Sequence, residues 1–223
     1  MTLDELTRHP GLWRGGSVAR GGGLSTGFPA LDEILPGGGW PAPGLVEILS
    51  HQHGVSGLRV VLPTLAALSR GGRWLIWVAP PHQPYAPALQ AAGVDLDRVL
   101  VVEPEATQAN QANQIPSPGS RSVWRKPQDS ELWALEQALR FAGCGAALAW
   151  VTGVENLALR RLQLACEAGG SLGFLFRPAT DIAQASPAAL RLLLTLDPDS
   201  AQLEITVRKC RGASQPRPCR LPS

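Results

Sequence analysis

The residues best placed to do chemistry lie between Gly44 and Gly71, in GLVEILSHQHGVSGLRVVLPTLAALSRG. The stretch reads as a short buried strand, a glycine-bearing loop and an apolar-faced helix. This is the order in which a mononucleotide-binding α/β domain sets its phosphate cradle, because backbone N–H groups at a helix N-terminus collect anionic oxygens. A working cradle closes on Gly-Lys-Ser/Thr, with the ammonium on the β and γ oxygens and the hydroxyl on magnesium. Here Ser56-Gly57 is followed by Leu58 and Arg59. Arg59 restores positive charge but cannot ligate magnesium. The expectation is a degenerate phosphate loop at Ser56, Gly57, Leu58 and Arg59 that holds no cofactor and catalyses no reaction; weak nucleotide binding by loop N–H groups alone ranks below an empty site.

Other reactive side chains point to little chemistry. His51, His53 and His82 fall in loops without acidic or thiol companions, which favours solvated histidines over a metal site. Cys144, Cys166, Cys210 and Cys219 form no C-x-x-C pair and have no histidine at metal spacing, so they read as reduced thiols of a cytoplasmic protein. Ser56 has no His/Asp arrangement that would make it a nucleophile. After Glu204 there is no acid, whereas Arg208, Lys209, Arg211, Arg217 and Arg220 follow. This basic end has two readings: phosphate contacts, each adding salt-sensitive affinity, or a solvated tail.

A chain of 223 residues with 44% hydrophobic content supports one buried core with ragged ends, and a formal charge of +2 is too small to define a nucleic-acid protein. No apolar run approaches the roughly 18 residues of a membrane helix, and the acidic start is not a secretory n-region. Residues 1–23 read as a flexible arm, broken by His9-Pro10 and glycine clusters. Within it, Trp13 and Arg14 either fold back on the chain's own sheet or anchor in a partner's pocket.

Ordered text begins at Leu24. A short helix through Phe28 and Leu35 leads to a strand over Leu45–Leu49. The following helix is apolar at Leu58, Val61, Leu62, Leu65 and Leu68, but Pro63 places its regular start near Val60 or later, leaving His51–Arg59 as loop. Strands are expected at Trp74–Ala79, Arg98–Val102, Ala146–Val151 and Leu172–Phe176, with helices at Ala86–Ala92, Asp129–Ala142 and Val154–Ala168. Residues 103–127 read as a disordered insertion rich in Gln, Asn, Ser and Pro, with Trp124 near its end as anchor or binding motif. Residues 178–187 read as a small-residue loop, followed by a hairpin of Leu190–Leu196 and Gln202–Val207. The sum is an α/β three-layer sandwich over 24–208, with a mostly parallel central sheet, a C-terminal β-hairpin and a disordered basic tail at 209–223.

The text resembles the RecA recombinase core, from Ser25-Thr26-Gly27, Leu31-Asp32 and Pro36-Gly37-Gly38-Gly39 through Val46-Glu47-Ile48 and Ser56-Gly57 to Gly93-Val94-Asp95. It also resembles the ImuA family of translesion-synthesis-associated proteins from bacterial SOS mutagenesis cassettes. That likeness rests on Leu12-Trp13-Arg14-Gly15, Gly39-Trp40-Pro41, Arg73-Trp74, Ala79-Pro80-Pro81-His82, Pro84-Tyr85-Ala86-Pro87, Leu159-Arg160-Arg161-Leu162-Gln163 and Phe174-Leu175-Phe176-Arg177-Pro178. The middle, Arg73 to Trp150, is similar to the SulA division inhibitors as well.

The RecA resemblance implies catalytic parts that are absent here. Leu58 stands for the lysine and Arg59 for the magnesium ligand. No carboxylate lies in Ala146–Gly153, and Pro80-Pro81 stand where a water-orienting glutamate is expected. Losing several such charges costs phosphoryl transfer many orders of magnitude. The connection after the fourth apolar strand is nearly all helix and the one after the fifth has no basic cluster, so autonomous strand exchange is not expected. The ImuA resemblance implies a non-catalytic adaptor in SOS-induced translesion synthesis, working with ImuB, an error-prone replicative-type polymerase and RecA, with only weak or indirect DNA contact. Arg160 and Arg161 are either the solvated outer face of a helix or a partner-binding face. The alternatives are a SulA-like inhibitor of the septal tubulin-like GTPase and a divergent ATPase using Arg59.

Overall fold

In the computed structural model, residues 22–51, 56–104, 127–196, 202–211 and 218–221 are described. Among these residues, eight strands form one sheet in the order β3-β2-β4-β5-β1-β6-β7-β8. They are β1 (Gly44–Ser50), β2 (Trp74–Val78), β3 (Val99–Val102), β4 (Cys144–Trp150), β5 (Leu172–Pro178), β6 (Leu190–Leu196), β7 (Leu203–Cys210) and β8 (Pro218–Leu221). The strands β1 to β6 pair in parallel, while β7 and β8 add antiparallel at one edge. The α-helices among the described residues are α1 (Pro29–Ile34), α2 (Ser56–Arg70), α3 (Ala86–Ala91), α4 (Pro127–Arg140) and α5 (Asn156–Gly169).

The central strands are apolar on both faces because both faces are covered. Val46 and Ile48 on β1 join Val60, Val61 and Leu65 of α2 in one core layer. Leu45 joins Leu135 and Leu139 of α4 and Leu159 and Leu162 of α5 in the other. Trp40 closes the first layer edge-on against Phe174, with ring centroids 5.2 Å apart. Its indole N–H donates to Thr64 Oγ1 at 2.7 Å, and Thr64 bonds back to the Ser25 carbonyl at 3.1 Å. The segment before β1 is thereby tied to α2. Gln163 is a second tie: its buried amide oxygen accepts from the backbone N–H groups of Leu45 and Ala189, at 3.0 and 3.2 Å.

Three sequence expectations are corrected. The helix α2 begins at Ser56, not near Val60, and carries Pro63 inside it. Burial of Val60, Val61, Thr64 and Leu65 offsets a proline penalty of about 3 kcal/mol. The chain after residue 208 is not simply a tail. The strand β7 runs to Cys210, and Pro218–Leu221 pairs with Leu203–Thr206 as an edge strand that buries Cys219 and Leu221. Alternation of Cys219 and Leu221 inward with Arg220 outward is a strand period too short to stand out in a basic, proline-bearing segment. Finally, the loop after β5 contains a 3-10 helix, Ala179–Ala183, rather than irregular chain throughout.

Candidate functional site

The position a nucleotide-binding α/β fold reserves for its ligand is the crevice at the carboxyl ends of the parallel strands, beside the helix that follows β1. A cavity of about 220 Å³ lies there, bounded by the ends of β1, β4 and β5, the start of α2, and Pro81. Its floor is aromatic. Trp150, the last residue of β4, stacks on Phe176 of β5 with centroids 4.8 Å apart and planes 16° from parallel. Trp77 of β2 continues the run at 5.6 Å from Trp150. The register explains the stack, since Trp150 lies directly opposite Phe176 in the β4/β5 ladder. Such pairs contribute about 0.5–1.5 kcal/mol each beyond their buried area.

The start of α2 rests on this floor. A Cβ on Gly57 would stand 3.0 Å from the Phe176 ring, tighter than an ordinary contact, so any larger residue would push on the aromatic floor. Leu58, at the lysine position, turns its side chain onto the core layer beneath. Arg59 is exposed on the first turn and already has an interaction partner. Where a RecA-like site carries an acid at the end of β4, this chain carries an indole. Among the described lining residues, the one charged side chain is Arg177, and it is engaged elsewhere.

That engagement is a buried ionic network which sequence reading missed. Glu47 in β1 and Arg177 in β5 both have fully buried side chains and form an ion pair in which Arg177 Nη1 donates to Glu47 Oε1. Arg191 in β6 sits opposite Glu47 in the ladder, its Nε 2.5 Å from Glu47 Oε2, close as an ion pair though out of line for a hydrogen bond. Arg177 Nη2 also donates to Asp181 at 2.7 Å and to Gln184 Oε1 at 2.8 Å. Arg191 donates to the carbonyls of Asp181, Ile182 and Gln184. Asp181 in turn accepts from Gly153 N, in the loop after β4. The loops after β4 and β5 are thus pinned to the sheet through two arginines. Lys209 lies close enough for Glu47 to favour its charge, but desolvation is larger and lowers its pKa. The signal in the sequence was charges inside apolar strands, VEI, FRP and LRL, each an anomaly in a doubly covered sheet.

The other sequence-derived candidates scatter. Trp13, Arg14, Trp124 and Arg217 lie outside the described residues, as does His53. The remaining basic residues of the C-terminal segment do not converge. Arg211 pairs with Glu167 at 3.4 Å, Arg220 with Glu204 at 3.6 Å, and Lys209 donates to the Ser186 carbonyl at 2.5 Å, leaving Arg208 exposed. Arg160 and Arg161 both lie on the exposed side of α5, and Arg161 reaches across to Glu136 of α4. Burial pushes the Cys144 thiol up to about 12, against the pull of Arg73, and the Cys210 thiol up to about 11. Among the described residues there is no cluster of potential metal ligands and no helix long and apolar enough to cross a membrane.

No family model matches the chain. It is 30% identical over 155 residues to "Protein ImuA" of Caulobacter vibrioides, a match covering 67% of this chain and 55% of that protein, so the chain spans little more than half the relative's length. It is 26% identical over 140 residues to "Cell division inhibitor SulA" of Serratia proteamaculans, covering 62% of this chain and 71% of that protein. Among solved structures, the RadB recombinase superposes with a TM-score of 0.62 over 88% of this chain at 13% identity, a likeness of fold. The ladder order, the crevice at the strand ends and these relatives agree: the chain is an ImuA homologue, related also to SulA, on a RecA-like α/β core.

Proposed function

We propose that this chain is a non-catalytic RecA-like adaptor in SOS-induced translesion synthesis, which recruits or regulates an error-prone polymerase together with ImuB and contacts RecA. The observation that carries the reading is the replacement of phosphate chemistry by stacked aromatic rings. Trp150 and Phe176 occupy the floor where an acid would hold magnesium, and Leu58 turns into the core where a lysine would reach the phosphates. Phosphoryl transfer is positioned charge, so such a cleft offers little to a triphosphate. The pinned Ala179–Ala183 segment adds support, since a recombinase works DNA with long mobile loops there and this chain has a short one locked by Arg177 and Arg191. A RecA-shaped body without hydrolysis can hold partners without hydrolysis-driven release.

The test is capture by the purified chain of ImuB, of the polymerase and of RecA, alongside calorimetry with magnesium and ATP. Capture of ImuB or RecA with no ATP turnover is expected. Absence of all three partners, or turnover abolished by Arg59→Ala, defeats the reading. A second reading draws on the SulA likeness, which covers a larger share of that relative than the ImuA match does. It predicts that overproduction makes filamentous cells and that the purified chain halts polymerisation of the septal tubulin-like GTPase.

A further inference from the structure

The crevice at the carboxyl ends of β1, β4 and β5 carries no phosphate chemistry, yet it is not filled. About 220 Å³ stays open beside Ile48, Trp150 and Phe176, with Pro81, Thr152 and Pro178 also lining it. Pro81 and Thr152 are exposed and Trp150 is half-buried, so the space opens to solvent at that edge. A cavity of about 150 Å³ takes a benzene ring, whereas ligand sites run to roughly 300–1,000 Å³. The crevice therefore has room for one ring system and is small for a nucleotide or cofactor.

The lining decides the charge of such an occupant. Arg177 is the one charged residue among the described lining residues, and its guanidinium is already bonded to Glu47, Asp181 and Gln184. An anion would compete with two carboxylates that Arg177 holds. A cation would meet a buried guanidinium with no carboxylate left over to pair it. Charged and titratable groups next along the chain favour neither sign, since Arg59 and Glu155 are both exposed, as are His51 and His82. A neutral group remains. Its shape follows from the floor, where the Trp150 and Phe176 rings stack with planes 16° apart, because aromatic pairs gain beyond their buried area. Its source follows from the surroundings. Pro81 opens a mostly exposed loop that ends at Tyr85, 72% exposed. A one-ring pocket edged by such a loop suits an aromatic anchor of another protein, whose neighbouring contacts exclude water around it.

We infer that this crevice is the socket for a single uncharged aromatic side chain of a partner protein. The inference rests on the adaptor reading above and gives it a location. In the test, the full chain is titrated with fluoroindole and followed by fluorine NMR, with cyclohexanol, tetramethylammonium and tripolyphosphate as competitors. Saturable binding is expected, displaced by unlabelled indole and by none of the three. Thr152→Trp, which fills the crevice from its exposed edge, should abolish binding. Trp150→Leu should weaken it about two- to tenfold, the range a lost aromatic contact sets. Phe141→Ser, at the opposite end of β4 and 50% exposed in wild type, should leave it unchanged. Absence of saturable binding, or equal binding by Thr152→Trp, overturns the inference. So does displacement by cyclohexanol as effective as by indole, which marks an aliphatic site, or displacement by either ion, which marks a charged one. Thr152→Trp is then carried into partner capture, where it should weaken capture by at least about tenfold, as loss of a central anchor does. If ImuB, the polymerase or RecA is captured equally by wild type and Thr152→Trp, the socket is wrong and the adaptor reading stands. If fluoroindole binds and Thr152→Trp blocks it while wild type captures none of the three, the ring site stands and the adaptor reading falls.

Discussion

Replacing Glu47 by alanine tests the buried network directly. Wild type balances two carboxylates, Glu47 and Asp181, against two guanidiniums, Arg177 and Arg191. Without Glu47, one carboxylate faces two arginines whose side chains are 0% and 7% exposed. Both keep some partners, Asp181 and Gln184 for Arg177 and three backbone carbonyls for Arg191, so only the Arg177 Nη1 bond to Glu47 is lost while the charge balance is broken. Removing one partner of a buried pair costs about 3–5 kcal/mol. Against a domain stability of about 5–15 kcal/mol, that is a large fraction. At a slope of about 2 kcal/mol per molar urea, the midpoint should fall by about 2 M. The seven tryptophans provide a fluorescence readout. Glu47→Gln keeps volume and an acceptor oxygen but not charge, and should still lose at least about 2 kcal/mol if charge is the cause. Pairing Glu47→Leu with Arg191→Met restores the balance, so the double variant should be more stable than the sum of the singles by about 1–3 kcal/mol. The exposed pair is the control: Arg220→Ala, removing a 3.6 Å contact to Glu204, should change stability by less than about 0.5 kcal/mol. If Glu47→Ala and Glu47→Gln both unfold within about 0.5 kcal/mol of wild type, charge balance in the network does not hold the fold.

Neighbouring glycines at the end of α5 should separate steric from conformational cost. A Cβ at Gly169 would stand 2.0 Å from the Leu139 carbonyl oxygen, so Gly169→Ala should cost about 2–3 kcal/mol in urea denaturation as α4 and α5 are forced apart. Gly170 has open space around it but a left-handed backbone with φ 65°, so Gly170→Ala should cost only about 1 kcal/mol. Thr64→Val strands the Trp40 indole N–H in the core and should cost about 1–3 kcal/mol, with a shift in tryptophan emission. In alkali, unfolded thiols ionise near 9 while Cys144 stays neutral to about 12, so the unfolded state releases its proton first. This group should leave stability unaffected below pH 9 and lower it between pH 9 and about 12, by up to about 1.4 kcal/mol per pH unit; in urea midpoints Cys144→Ala should make the decline shallower by that share, the buried Cys166 and Cys210 keeping theirs.

The layered fold was legible because its cause is local and repetitive. Unbroken apolar runs such as Trp74–Val78 and Leu172–Phe176, spaced by periodic helices, have few solutions other than a parallel sheet covered on both faces. That Leu58 and Arg59, not lysine and a hydroxyl residue, follow Gly57 was equally plain, since they are consecutive residues. What only the tertiary structure decided depends on residues far apart in the chain. Glu47, Arg177 and Arg191 look like isolated anomalies until strand order sets β1 between β5 and β6 and places the three charges on one face. Pro63 argued for a late helix start, but burial of the surrounding turns outweighs the local penalty. Trp150 becomes the floor of the crevice only when ladder register lays it on Phe176, because a single residue type carries no information about what it will face across a sheet.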